Sequence, residues 1–462
     1  MVSRRIFCSA FWQAVIVALL CNPQYAAEKV WKAGTARVEI TPDKPLWLAG
    51  YASRTHPAEG TLHPLWVKVL ALEAPDGARA IILASDVLGY PRAMSERVCA
   101  DLVARYKLDR SAVFLTSSHT HSGPVLSGAL PDIYPIDASQ LALIDEYSLR
   151  LERSIADTAG RALSRLAPAR MYAGHGRTTF AVNRRNNREA EVPKLLGQGL
   201  ETKGPVEHSV PVLAVHGVDG KLLAVLFSYA CHATTLDTYQ WCGDYPGFAQ
   251  AELEARYPGA LAMFHAGCGA DQNPIPRRSV ALCERYGHML AAAVEETLGG
   301  ELMPLEPGLA TAFRRVDLDY ERHPTREELK EIESASDAAA FRRHWAGRLL
   351  RELDAGSRFE RSYPYPVQVW RLGGNQLWIG LGGEVVVDYA LRFKREFGPD
   401  AWVTGYANDV MAYIPSARIQ AEGGYESSSM DVYGLPATGW APGIEDRIAG
   451  TVGELVRQVQ NR

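Results

Sequence analysis

The sequence predicts a single large mixed α/β domain, built in layers, with its chemistry on loops at the ends of strands. Three observations carry this expectation. Apolar runs of strand length alternate along the chain with longer helical patterns. No Pro/Gly/Ser-rich linker, repeat or low-complexity stretch divides it. The 462 residues are 47% hydrophobic and 22% charged, the balance of a soluble globular protein long enough to bury a large core.

The elements follow in order. Residues 34–49 read as a strand and turn, 64–72 as an alternating then fully apolar strand, and 79–88 as a buried strand. A helical pattern over 92–106 precedes the apolar strand 112–120, giving the β, α, β order of a mixed sheet. Residues 138–166 are helical; strands recur near 170–182, 210–218 and 222–233. Helices are expected at 246–256 and 279–298, around an apolar run at 260–264, and a strand at 307–320. The charged block 324–354 has no Pro after Pro324 and reads as helix; 321–356 is therefore the expected insertion or lid. Strands at 366–372 and 376–382, then helices at 385–397 and 443–459, complete the expected domain, 28–462.

Residues 1–27 have a positive start (Arg4, Arg5), an apolar stretch from Ile6 to Leu20, and a polar segment ending at Ala26–Ala27. That is the pattern of a secretory signal peptide, so a secreted or periplasmic protein is expected. Of seven cysteines, Cys8 and Cys21 fall in this leader. The other five, Cys99, Cys231, Cys242, Cys268 and Cys283, define no disulfide framework, and a Cys231–Cys242 pair stays open. A net charge of −4 without a basic run argues against nucleic-acid binding. There is no P-loop, dinucleotide fingerprint, G-x-S-x-G elbow or C-x-x-C pair.

The sharpest motif is Ser118-His119-Thr120-His121-Ser122-Gly123-Pro124, at the end of an apolar strand. Side chains at i and i+2 of a strand point the same way, so His119 and His121 are expected to converge, and an H-x-H pair is a common start to a metal centre. His232 follows a second apolar strand, and Glu384 follows Gly382-Gly383 between a strand and a helix. Two strand-end imidazoles and one carboxylate are a ligand set for catalytic zinc. Each has an ordinary alternative: hydrogen-bonded structural histidines, and an acidic residue in the first turn of a helix. Gly243-Asp244-Tyr245-Pro246-Gly247, Gly267 to Pro274 and Asn183-Arg184-Arg185-Asn186 read either as turns or as polar contributors to the same site.

The ordered set WKAGTARVEITP, SHTHSGP, VNR, YACHATTL, GDYPGFA, a D-x-x-P turn, GGE and a late tyrosine pair resembles the catalytic domain of the neutral/alkaline non-lysosomal ceramidases. The resemblance spans essentially all of 28–462 and implies a zinc amidase working through activated water on a lipid or small-molecule N-acyl substrate. It implies His119, His232, Glu384 and Tyr413 as metal ligands, Tyr413 standing at the end of the stretch from Asn408. It also implies that His121, Arg184 and Tyr425 bind the substrate carbonyl. Asp271 or Asp244 is expected to orient a ligand histidine. Asn273 stands where the family carries a serine in its G-D-x-S-P-N turn, and is expected at most to donate to substrate. The chain ends at Arg462, too early for the family's extra C-terminal β-sandwich. A zinc esterase or deacylase on a non-lipid substrate, or a silent binding protein of the same fold, are the alternatives. A lipid substrate would bring peripheral membrane contact; the oligomeric state is not readable.

Overall fold

The computed structural model describes residues 30–461; the expected leader, 1–27, lies outside the described residues. The fold is mixed α/β in four layers, with helices outside and two sheets between them. The larger sheet runs in the order Leu261–Ala266, Leu222–Tyr229, Ser209–Gly217, Ala167–Arg177, Trp31–Glu39, Trp66–Glu73, Arg79–Ser85, Val113–Ser117, with Met303–Leu305 added beside Ala167–Arg177. Its interior pairs are antiparallel, but the last pair at each edge is parallel. The smaller sheet runs Leu309–Asp319, Ser362–Leu372, Gln376–Leu381, Trp402–Thr404.

Alternation of side chains dictates the layers. One set of strand residues (Val67, Val69, Ile81, Leu83, Val113, Leu115) packs beneath the helices Arg92–Tyr106 and Ala138–Ser164. Farther along the sheet, Val212, Phe227 and Phe264 meet Asp244–Arg256 and Val280–Gly299. The opposite set (Leu70, Ile82, Phe114, Met263) faces Trp370, Trp378 and Trp402 of the smaller sheet. The Phe114 and Trp378 rings are 4.8 Å apart there. Val387–Phe397 and Ile444–Gln460 close the far side of the smaller sheet.

The block read as one helix is two, Arg326–Ser334 and Ala340–Asp354. Thr325 and Glu328 form a capping box that starts the first. The two close on their own small core of Leu329, Trp345, Leu349 and Leu350. This hairpin holds the 430–436 segment. Trp345 Nε1 donates to the Leu435 carbonyl at 2.9 Å, and Arg348 donates to the Gly434 carbonyl at 2.7 Å and to the buried Asp132 carboxylate. Cys231 and Cys242 are free, buried thiols, as are Cys99, Cys268 and Cys283, so no Cys231–Cys242 disulfide forms. Among the described residues no helix is long and apolar enough to cross a membrane.

Candidate metal centre

The strands Val113–Ser117 and Leu222–Tyr229, each a member of one of the larger sheet's two parallel pairs, end in the loops that carry His119, His121 and His232. The loops lie together: the His121 amide donates to the Ala233 carbonyl at 3.3 Å. Each of the three imidazoles offers a nitrogen, and these atoms all lie within 4.8 Å of one another.

The histidines converge, but not by strand alternation. The strand stops at Ser117, and His119 sits in the left-handed region at φ 56°. That conformation is uncommon for any residue but glycine and is held only where surroundings demand it. Here His119 Nδ1 contacts the Leu88 carbonyl at 2.7 Å, and Tyr406 lies against the ring with centroids 4.1 Å apart. His121 packs on the backbone of Gly50. A Cβ at Gly50, itself at φ +98°, would lie 2.3 Å from His121 Nδ1, so only glycine fits.

Glu384 and Tyr413 arrive together from the smaller sheet. Glu384–Val385 and Tyr413–Ile414 form a two-residue parallel pair with Glu384 opposite Tyr413. Gly383 makes the approach possible: its φ is +73°, and a Cβ there would lie 2.8 Å from the Ala412 carbonyl. Glu384 Oε2 lies 3.0 Å from His232 Nε2 and 3.3 Å from His119 Nε2. The Tyr433 hydroxyl contacts Glu384 Oε1.

The protonation of this group is constrained from behind. His232 Nδ1 contacts the Gly269 carbonyl at 2.8 Å, as His119 Nδ1 does that of Leu88. A carbonyl only accepts, so both Nδ1 atoms carry hydrogen. Burial lowers His232 to about 4, its contact with Glu384 only partly opposing, so the ring is neutral near pH 7. Burial, with His119 and His232 beside it, also pushes His121 well below the usual value. For Glu384, burial opposes ionisation, but His119 and His232 outweigh it and hold the carboxyl well below its usual range. The Nε2 lone pair of His232 therefore faces a carboxylate oxygen at contact distance. Acceptors facing acceptors repel, and a cation between them reverses the sign. The residues present fit a metal ion with N/O preference.

A cavity of about 170 Å³ opens beside this cluster, lined by His121, Arg184, Asn273, Glu384, Tyr413 and Tyr425 among others. Arg184 donates to the Tyr413 hydroxyl at 3.3 Å and to Glu426 Oε1 at 2.9 Å, and lies 5.6 Å from the centroids of both Tyr413 and Tyr425. Asn273 reaches the cavity with a buried Oδ1 that has no protein partner.

Two expectations need correction. Asp271 touches neither histidine ring: its carboxylate accepts from the Val387 amide at 2.9 Å and from Asn183 Nδ2 at 3.0 Å. It ties together the loops that carry the site. Asp244 accepts the amides of Thr235, Leu236 and Tyr245. The orienting partners of His119 and His232 are backbone carbonyls instead. The sequence reading missed Tyr433, Tyr406, Tyr51 and Arg277. Tyr51 lies 4.7 Å from the His121 ring by centroids, and Arg277 lines the cavity. These residues lie in irregular segments or, for Tyr433, in the single 3-10 turn Asp431–Tyr433, where no periodicity marks a tyrosine or an arginine as part of a site.

Comparison with known proteins gives four findings. The family model described as neutral/alkaline non-lysosomal ceramidase, N-terminal, matches residues 31–268. The chain is 25% identical over 272 residues to a neutral ceramidase of Pseudomonas aeruginosa; the match covers 57% of this chain and 39% of that protein. The crystal structure of neutral ceramidase from Pseudomonas aeruginosa superposes with a TM-score of 0.71 at 18% identity, over 94% of this chain and 75% of that one. A structure titled "Ceramidase complexed with C2" gives 0.69 at 17% identity, over 93% and 75%. The chain thus spans well under two thirds of the curated relative, while sharing its fold across nearly its own full length. On the family match over 31–268, the chain belongs to the neutral/alkaline non-lysosomal ceramidase family.

Proposed function

We propose that this protein is an exported, zinc-dependent hydrolase that cleaves an amide bond in an N-acyl substrate, with His119, His232, Glu384 and Tyr413 as the metal ligands. The carrying observation is the pair of imidazoles whose Nε2 atoms lie 3.0 and 3.3 Å from Glu384 Oε2. The family's printed description supports the amide-hydrolase class. A bound zinc ion would supply Lewis acidity, polarising the substrate carbonyl and making water a better nucleophile near neutral pH.

The chain's own groups do the rest. Arg184 holds the Tyr413 hydroxyl and presents a fixed positive charge where a carbonyl oxygen would gain negative charge. His121 and Tyr425 line the same cavity, and in this reading they donate to that oxygen. No side-chain nucleophile is required, which suits the amide of Asn273. The leader at 1–27 would direct export. Zinc content measured on the purified mature chain tests the ligand set. About one zinc per chain, lost in His232→Ala, is expected; a zinc-free wild type with full amidase activity would overturn it.

One observation favours a second reading. The outer cavity, about 580 Å³, is lined by Arg184, Arg185, Arg188 and Arg277 beside Glu189, Glu422 and Glu426. This charged mouth favours a polar leaving group, as in a deacylase acting on a non-lipid amide or ester. Rates on matched lipid and polar N-acyl amides separate the two.

A further inference from the structure

The metal-side cavity, of about 170 Å³, and the outer one, of about 580 Å³, meet at a neck. Arg184, Asn273, Arg277 and Tyr425 line both. Glu189, Glu422 and Glu426 line only the outer cavity, and Glu384 lines only the inner one. The neck thus carries two guanidiniums, an amide and a phenol, and no carboxylate.

The two guanidiniums differ in what they have left to offer. Arg184 is committed to the Tyr413 hydroxyl and to Glu426. Arg277 donates Nε and Nη2 to one oxygen of Glu189, at 3.0 and 2.6 Å. Its Nη1 has no partner among the described residues and keeps access to solvent, although the side chain is only 14% exposed. Glu189 gives its other oxygen to Arg278, at 2.7 Å, so one carboxylate serves two guanidiniums.

We propose that Arg277 is a specificity determinant for charge: through Nη1 it pairs with a carboxylate that the substrate carries close to the scissile amide. The inference rests on the amide-hydrolase reading and adds to it a preference for negatively charged N-acyl compounds over neutral ones.

Three features select a carboxylate. A guanidinium fixed by two bonds to Glu189 presents its remaining donors in one direction, and its planar edge matches a carboxylate. Arg184 acts on Arg277 as a like charge, which disfavours an ammonium group at the neck and favours an anion there. Only one edge of Arg277 is open and Glu189 stands behind it, which suits a single negative charge better than a phosphate dianion.

The test uses the full mature chain and two pairs of amides, each an acid and its neutral isostere. N-octanoylglycine against N-octanoylglycinamide puts the charge on the amine side, read as octanoic acid released. N-butylsuccinamic acid against N-butylsuccinamide puts it on the acyl side, read as butylamine released. In one pair the acid should have a kcat/KM about tenfold to a hundredfold above its isostere, the range of a hydrogen bond to a charged group. Arg277→Gln should bring that ratio to about one, while Arg277→Lys, which keeps the charge, should hold part of it. Glu189 stays paired with Arg278 in both variants, so the local fold should persist. A ratio near one in both wild-type pairs, or a preference that Arg277→Gln leaves intact, overturns the proposal. Calorimetric binding of the same pairs keeps the two readings apart. Absence of any hydrolysis would overturn the amide-hydrolase reading, while the acid-to-amide binding ratio, in wild type and in Arg277→Gln, still decides the role of Arg277.

Discussion

Glu384 stands directly opposite Tyr413 in a parallel ladder only two residues long. This pair is the hinge of the site. It brings two oxygen donors from the smaller sheet to meet imidazoles from the larger one. The strand that leads to His119 is tied to the same region, since the Leu115 carbonyl accepts the Asn408 amide at 2.9 Å. The candidate metal centre thus lies at the seam of the two sheets, and the side chains that could hold an ion come from segments far apart in sequence.

Tyr433 should tune the metal through Glu384. Its hydroxyl contacts Oε1, the carboxylate oxygen turned away from the two histidines. Tyr433→Phe should lower zinc affinity by about tenfold to a hundredfold, the usual loss when a group supporting a ligand is removed. Competition against a fluorescent zinc chelator reads this. An unchanged affinity would show that the hydroxyl does not support the ligand.

Arg184 should matter for rate more than for binding. Arg184→Lys keeps the charge but loses the fork that joins Glu426 to the Tyr413 hydroxyl. A fall in kcat of about a hundredfold is expected, with KM nearly constant, by analogy with removing one donor to a developing oxyanion. Arg185 also holds Glu426, at 2.6 Å, so the local fold should persist. A rise in KM with kcat unchanged would place Arg184 in ground-state binding instead.

Asp409 should make stability depend on pH. Its carboxyl is raised from 3.8 to about 7 by burial. The folded protein therefore holds this proton more tightly than the unfolded chain does. Its contribution is fully present below about pH 4, declines as pH rises through 7, and then levels off. The whole effect is at most about 4 kcal/mol. Asp409→Asn does not titrate, so its melting temperature relative to wild type should rise between pH 5 and pH 8. A difference independent of pH would contradict this.

Arg348 should couple the helical hairpin to the site. Arg348→Ala leaves the buried Asp132 carboxylate without its guanidinium and frees the Gly434 carbonyl next to Tyr433. The expected cost is about 3 kcal/mol, read as a lower melting temperature, with faster proteolysis between 425 and 437. Full protection of that segment in the variant would show that the hairpin does not hold it.

Much of this was legible in the sequence. The helix 92–106 and the strands near 66–73, 79–85 and 222–229 follow from apolar periodicity, because burial on one or both faces writes itself into the spacing. The break between the two hairpin helices was not, since Ser334 to Ala339 contains neither Gly nor Pro and only packing around Trp345 imposes it. Within the site, histidines and an acidic residue at strand ends are rare enough to be noticed. Their geometry was less legible: His119 and His121 meet through a left-handed turn, not through a strand. Asp271 looked like an orienting carboxylate but serves as a loop tie, because backbone carbonyls of Leu88 and Gly269 already hold the imidazoles. Tyr433 and Asp409 were invisible, as each acts through the way irregular segments fold back on one another.

The most direct test of the account is hydrolysis of a fluorescent N-acyl sphingosine by the purified mature chain, with a zinc chelator and then with zinc restored. The account predicts release of the fatty acid that stops on chelation, returns with zinc, and is absent in His232→Ala and Glu384→Gln. Undiminished release from zinc-free protein, or from either variant, would contradict it.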